Sequence, residues 1–178
     1  MSASTTSLEA PGVQHVQARR WGVKGPGAAT WLQQCGIAVP AGPNSVIHWY
    51  GGRCLRLGLS EFLIEQDDFA AAPLLPDDAP ADCDAWVLLR SDCSVLLAGH
   101  PWPAALAQGC SFDFERLRAE PYLVVMTLFA GIGVTFVREP SDTDAPLSLR
   151  LWCDASHATY LDQCLQQIAA PLPPGDRE

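Results

Sequence analysis

Cys153 and His157 lie four residues apart, and a thiol beside an imidazole is the smallest nucleophile-and-base pair. A spacing of four brings side chains together only inside a helix. Cys153 reads as the end of a strand and no third residue is placed to orient the imidazole, so the pair reads as structural. The four histidines, His15, His48, His100 and His157, are spread singly, and a metal centre would need the fold to gather them. His48, beside Trp49 and Tyr50 in a strand pattern, reads as a packing residue. The seven cysteines, Cys35, Cys54, Cys83, Cys93, Cys110, Cys153 and Cys164, contain no Cys-x-x-Cys, which argues against a zinc knuckle or a redox dithiol. Their odd number and apolar neighbours fit free thiols in a reducing cytoplasm.

The acidic pairs Asp67-Asp68 and Asp77-Asp78 lie in a proline- and alanine-rich stretch. Such a loop offers no rigid, buried frame to shift a carboxylate toward acid–base work, so both read as solvated. Gly25-Pro26-Gly27 at a helix start presents free N–H groups to an anion. It has neither the Gly-x-Gly-x-x-Gly spacing of a dinucleotide loop nor a phosphate-loop Gly-Lys-Ser/Thr, and reads as a turn. The sequence therefore assigns no catalytic, cofactor-binding or metal-ligating residue.

The elements around these residues repeat. Trp21 to Pro40 reads as a strand end, a glycine-proline turn and a short helix with Pro26 in its first turn. Its apolar stripe is Ala28, Trp31, Leu32 and Cys35, and Gly36 is the stop. Gly99 to Gly109 repeats the pattern, with Trp102, Ala105, Leu106 and Gly109 as the stripe. Strands are expected over Val16–Val23, Ser45–Tyr50 and Arg53–Leu57 about a Gly51-Gly52 hairpin turn, and Phe62–Glu65. Gln66 to Asp84 forms the seam, with one helical turn around Phe69–Ala72. Further strands are expected over Ala85–Leu89, Ser94–Ala98, two within Tyr122–Val137, and Leu147–Cys153. Asp154 caps a last helix with the stripe Tyr160, Leu161, Cys164, Leu165 and Ile168, and Pro171-Leu172-Pro173-Pro174 ends the fold. The fold class is α+β, with two pseudo-repeated halves of the split βαβ kind. The organisation expected is a flexible tail over 1–14, one domain over 15–172 with halves at about 15–66 and 84–170, and a second tail over 173–178.

A hydrophobic content of 48% marks a folded chain, and its 178 residues suffice for a substantial core. A net charge of −9 argues against nucleic acid or an anionic membrane as partner. The start of the chain lacks the order of a signal peptide, and the apolar run Tyr122–Val137 is too short to span a bilayer.

Taken in order, these pieces resemble the gamma subunit of heterotetrameric sarcosine oxidase. The segment Gly22-Val23-Lys24-Gly25-Pro26-Gly27-Ala28 with Trp31-Leu32 is similar to that family's first helix. Val39-Pro40 then Pro43-Asn44, and Leu55-Arg56-Leu57-Gly58 then Glu61-Phe62-Leu63-Ile64, continue the match. Gly109-Cys110-Ser111-Phe112-Asp113-Phe114 resembles the family's Gly-Cys-Pro-Leu-Asp-Leu, and Tyr160-Leu161 falls where the family has Tyr-Leu. The chain departs from the pattern at His100 and Trp102, and at Asp154-Ala155-Ser156-His157, where the family has Arg-Ser-Phe.

The resemblance implies a fold like the folate-binding domain of the glycine-cleavage T protein. It also implies a non-catalytic, cofactor-free subunit beside larger flavoprotein chains that hold FAD, FMN, NAD and tetrahydrofolate. That complex oxidatively demethylates sarcosine to glycine, forms hydrogen peroxide, and passes the one-carbon unit to tetrahydrofolate or releases formaldehyde. Two other readings are a stand-alone folate-binding or aminomethyltransferase-like protein and a self-associating scaffold. Six tryptophans (Trp21, Trp31, Trp49, Trp86, Trp102 and Trp152) are more than one core of this size requires, and aromatic and arginine side chains are enriched at interfaces. Lys24, Trp21, Arg19, Arg20 and Arg53 are the residues expected to face a partner.

Overall fold

The alternating apolar runs build two sheets. In a computed structural model, which describes residues 12–67, 71–99, 101–141 and 146–169, the chain opens with β1 (Val13–His15), β2 (Arg19–Lys24) and α1 (Ala28–Gln34). It continues through β3 (Ser45–Trp49), β4 (Gly52–Arg56), β5 (Glu61–Gln66), β6 (Trp86–Arg90) and β7 (Cys93–Leu97). Then follow α2 (Trp102–Leu106), α3 (Arg116–Ala119), β8 (Val125–Phe129), β9 (Ile132–Arg138) and β10 (Leu149–Cys153). A 3-10 turn at Ala155–His157 leads into α4 (Ala158–Ala169). The class is α+β, with two antiparallel sheets and few helices.

The first sheet has the order β3-β4-β5-β2-β6, the second β1-β7-β10-β9-β8. The β1–β2 and β6–β7 connections each pass from one sheet to the other. The expected halves, 15–66 and 84–170, therefore do not coincide with the sheets: β6 completes the first sheet and β1 the second. Val13 and Gln14, expected in a mobile tail, pair with Leu97 and Leu96 of β7. Phe69 and Ala70 of the helical turn expected over Phe69–Ala72, residue His100, the Pro171–Pro174 ending and the tails 1–11 and 173–178 lie outside the described residues; Ala71 and Ala72 are not helical.

Alternate residues along a strand face opposite ways, and both faces of both sheets are used. The outer face of the first sheet (Trp21, Val23, Phe62 and Ile64) packs with Ala28, Trp31 and Leu32 of α1. The outer face of the second (Val95, Leu97, Phe136, Leu149 and Leu151) packs with Trp102, Leu106, Leu117, Leu161 and Leu165 of the other helices. Between the sheets lie Val46, Leu55, Leu63, Val124, Val137 and Trp152. The order of layers is helix, sheet, sheet, helix. At one corner the edges are clamped by Val46 N–H to Tyr122 C=O and Val124 N–H to Asn44 C=O, each 2.9 Å.

Local signals hold with adjustments. Gly36 takes φ +80°, and the Gly36 and Ile37 N–H groups donate to Gln33 and Leu32 carbonyls, a Schellman end to α1 with Ile37 buried beneath it. Pro26 lies before the helix, which Gly27 caps. Gly109 is needed for space, since a Cβ there would come within 2.8 Å of the Phe129 ring. Asp154 caps as expected, accepting the Ser156 N–H at 2.8 Å. The buried stripe of α4 is Leu161, Leu165 and Ala169, and Tyr160 is exposed. No helix among the described residues is long and apolar enough to cross a membrane.

Candidate functional site

The strongest electrostatic feature is buried between the sheets. Glu65 on β5 is fully enclosed and stands opposite Arg20 on β2 and Arg53 on β4. Its Oε2 accepts from Arg20 Nε at 2.6 Å and from Trp152 Nε1 at 2.7 Å. Arg53 Nε and Arg150 Nε lie 3.3 Å from its Oε1, at ion-pair distance but without hydrogen-bond alignment. Asp67 receives Arg53 Nη2 and Arg150 Nη2, both at 2.9 Å. Glu139 binds Arg53 Nη1 and lies 3.1 Å from Arg150 Nε.

Three arginines from both sheets thus meet three carboxylates, and the cluster is neutral. Burial works to lower the pKa of Arg53, but Glu139, Glu65 and Asp67 outweigh it and the net shift is upward. At Arg150 burial prevails and the shift is downward. An arginine has so high an intrinsic pKa that both remain charged.

Beside the cluster, a cleft of about 670 Å³ is lined by residues including His48, Tyr122, Arg138 and Glu139. His48 stands opposite Arg53 across β3 and β4. Burial, then the Arg53 charge, lowers its pKa to about 4, Arg150 adds to this, and Asp67 opposes it. The imidazole is therefore neutral at pH 7, and its enclosed Nε2 has no hydrogen-bond partner. The cleft is open at the surface, and its one carboxylate is neutralised by two arginines. A neutral imidazole and a paired carboxylate do not form an acid–base couple.

This arrangement corrects several expectations. Asp67, read as a solvated loop residue, helps tie the sheets together; Asp68 lies outside the described residues, while Asp77 and Asp78 are exposed. Of the five residues expected to face a partner, Trp21, Arg20 and Arg53 are buried at 1%, 5% and 3% exposure. They are committed to this chain's interior and offer no surface. Arg19 is half-buried and donates to the Ala71 carbonyl at 3.1 Å. Lys24 is exposed, 3.6 Å from Glu61. Trp31, Trp102 and Trp152 are also core, Trp49 is half-buried, and Trp86 alone of the six is exposed.

Around Trp86 the surface is apolar. Trp86, Leu88 and Leu89 of the edge strand β6 are 66%, 70% and 62% exposed. Lys24 is the register partner of Trp86 and borders this patch. Cys153 and His157 do not meet as a pair: Cys153 is buried and stands opposite Cys93, while His157 is exposed in the 3-10 turn. No group of three His, Cys, Asp or Glu side chains among the described residues is arranged to hold a metal ion.

No protein-family model matches the sequence, and no curated protein matches it. Solved structures do match. A chain of the heterotetrameric sarcosine oxidase from Corynebacterium sp. U-96, in complex with pyrrole 2-carboxylate, aligns over 90% of this chain and 86% of its own. The TM-score is 0.67 and the identity 22%. The chain has the fold of a sarcosine oxidase subunit. The regulatory subunit of aspartate kinase from Thermus flavus aligns over 89% of this chain and 97% of its own, but at 18% identity and a TM-score of 0.39 that likeness carries no argument.

Proposed function

We propose that this chain is a non-catalytic, gamma-type subunit of a heteromeric flavin-dependent amine oxidase of the sarcosine oxidase kind. The observation that carries the reading is the fold likeness, which spans nearly the whole of both chains, so the matched subunit is a chain of similar length. In this reading the FAD, FMN, NAD and tetrahydrofolate sites belong to the larger partners, which perform oxidative N-demethylation and one-carbon transfer. The fold is then the duplicated, T-protein-like plan: β2, β3, β4 and β5 of the first sheet correspond in order to β7, β8, β9 and β10 of the second. Helix α1 follows β2 as α2 follows β7. Seven unpaired cysteines fit a cytoplasmic setting.

The surface proposed for the partner is the β6 edge. An exposed strand edge carrying large apolar side chains invites pairing by another chain, and free-standing proteins usually blunt such edges. The folate-binding alternative needs a free carboxylate facing a cavity, and the neutralised Glu139 gives that reading no support.

Co-expression with sarcosine-oxidase-type flavoprotein subunits from the same genome should yield an assembly that co-elutes with flavin absorbance. The double variant Trp86→Ser/Leu88→Ser should weaken that assembly at least tenfold while the free chain stays folded. A chain that elutes alone beside assembled flavoproteins overturns the reading. So does saturable tetrahydrofolate binding by the purified chain, followed through tryptophan fluorescence.

A further inference from the structure

The second sheet holds a constellation that the subunit reading leaves unused. Cys93 opens β7, which runs between β1 and β10. Cys153 of β10 stands directly opposite Cys93. Such residues project from the same face with Cα atoms about 4.5–5.5 Å apart, inside the roughly 4.4–6.8 Å that a disulfide spans. On the other side, His15 of β1 is opposite Val95, two positions along β7 from Cys93. That makes the imidazole a diagonal neighbour on the same face, within reach of the thiol. Helix α4 covers this face, and its Asp162 sets Oδ1 3.0 Å from His15 Nε2, at ion-pair distance but without hydrogen-bond alignment. The imidazole thus lies between a thiol and a carboxylate, placed to exchange a proton with the thiol.

The two thiols differ. Cys93 is half-buried beside the exposed His15, and Cys153 is buried behind it. The neighbouring Cys153 thiol, aided by His15, pulls the Cys93 pKa down to about 7 against burial and the Asp162 charge, while Cys153 Sγ itself donates to the Asp154 carbonyl at 3.3 Å. The Cys153 pKa is raised by the adjacent Cys93 thiol, then by burial, with the Asp154 and Asp92 charges adding. Of the two thiols, the more exposed Cys93 is the one disposed to ionise.

We propose that Cys93 is a hydroperoxide-reactive thiol and Cys153 its resolving partner, the two closing a reversible cross-strand disulfide. The Cys93 thiolate attacks the terminal oxygen of ROOH. An S–O bond forms as the O–O bond breaks, and the departing RO⁻ takes, through His15, the proton that Cys93 gave up. Sulfur loses two electrons and the peroxide gains them. Cys153 then attacks the Cys93 sulfur, the S–S bond forms, and hydroxide leaves with the Cys153 proton as water. The sum is two thiols and ROOH giving one disulfide, ROH and water; a dithiol reductant reverses it by exchange. Any hydroperoxide serves as the oxidant, so the inference stands apart from the subunit reading.

The expected rate gain is small. A thiol of pKa near 7 has about fifteen times the thiolate of an ordinary cysteine at pH 7, but lower basicity removes about fivefold, leaving roughly threefold. Location and connectivity are the sharper readouts. The full chain, treated with stoichiometric hydrogen peroxide at pH 7 and then blocked with N-ethylmaleimide, should lose two of its seven thiols. Peptide mapping should find Cys93 linked to Cys153, and dithiothreitol should restore both. Cys153→Ser should accumulate a dimedone adduct at Cys93. His15→Gln should shift the pH profile of Cys93 alkylation upward and slow it at pH 7 by part of that threefold, since Cys153 contributes the larger share, which a merely structural histidine would not do. Oxidation of Cys35, Cys83 or Cys164 ahead of Cys93, or wild-type Cys93 oxidised without a link to Cys153, overturns the proposal.

Discussion

The strands β1 and β6 each end a sheet, and they treat that position in opposite ways. β1 has three residues: Val13 and His15 lie on the face that α4 covers, Val13 buried and His15 exposed at its rim, and Gln14 is exposed on the other face. β6 has five, and Trp86, Leu88 and Leu89 are exposed. A free edge is a row of unpaired N–H and C=O groups, and a short, polar strand is one way to protect it. β1 is protected and can carry an exposed imidazole beside a thiol. β6 is left long and apolar, as an edge that awaits another chain would be. Equivalent places in two sheets thus differ in kind, one short and polar, the other long and apolar.

That comparison requires the two sheets to be locked rigidly to each other, and the largest expected effect tests the lock. Glu65→Gln leaves three inter-sheet arginines facing two carboxylates, and loss of one partner from a buried ion cluster costs about 3–5 kcal/mol. Urea unfolding should show this, and a loss under about 1 kcal/mol would mean that the sheets are held by their apolar contacts alone.

Next in size is Gly12→Ala. Gly12 sits at φ +79° just before β1, and a Cβ there would fall 1.9 Å from the Ala98 carbonyl oxygen. The expected cost is about 1–3 kcal/mol. Because β1 moves, His15 should part from Cys93, and the Cys93 alkylation profile should shift to higher pH. An unchanged profile would separate the thiol's properties from the edge strand.

Acid should loosen the same lock through His48. Its folded pKa of about 4 lies below the ordinary 6.5, so the unfolded chain binds the proton more readily. The stability it contributes is present in full above about 6.5 and is lost as the pH falls toward 4. Midpoints of urea unfolding measured across that window should decline with acid in the wild type and decline less in His48→Gln.

What the sequence showed locally was the existence of the strands and the ends of the helices. The apolar alternation marked β3 to β5, and Gly36 and Asp154 marked a helix stop and a cap. It could not show which strands pair. Ala85–Leu89 and Ser94–Ala98 around Ser91-Asp92 look like a hairpin, yet they enter different sheets, because pairing depends on faces buried at long range. The same limit hid both clusters. Asp67 reads as solvated until the fold brings Arg53 and Arg150 to it, and Cys93, His15 and Asp162 are far apart in the chain. Spacing drew attention to Cys153 and His157, where a strand end and an exposed turn hold the side chains apart. Tryptophan count suggested surplus aromatics, but four of the six fill the interior.

The smallest expected effect sharpens the contrast between the edges. Leu88 is 70% exposed, so its side chain makes little contact within this chain. Leu88→Ser in the isolated protein should therefore change unfolding free energy by no more than about 0.5 kcal/mol. Val13, 7% exposed on the opposite edge, packs into the core of the second sheet, and Val13→Ala should cost clearly more, about 1–2 kcal/mol. If Leu88→Ser proved as costly as Val13→Ala, the β6 edge would have to be covered by this chain itself. It could then no longer be read as a surface held open for a partner.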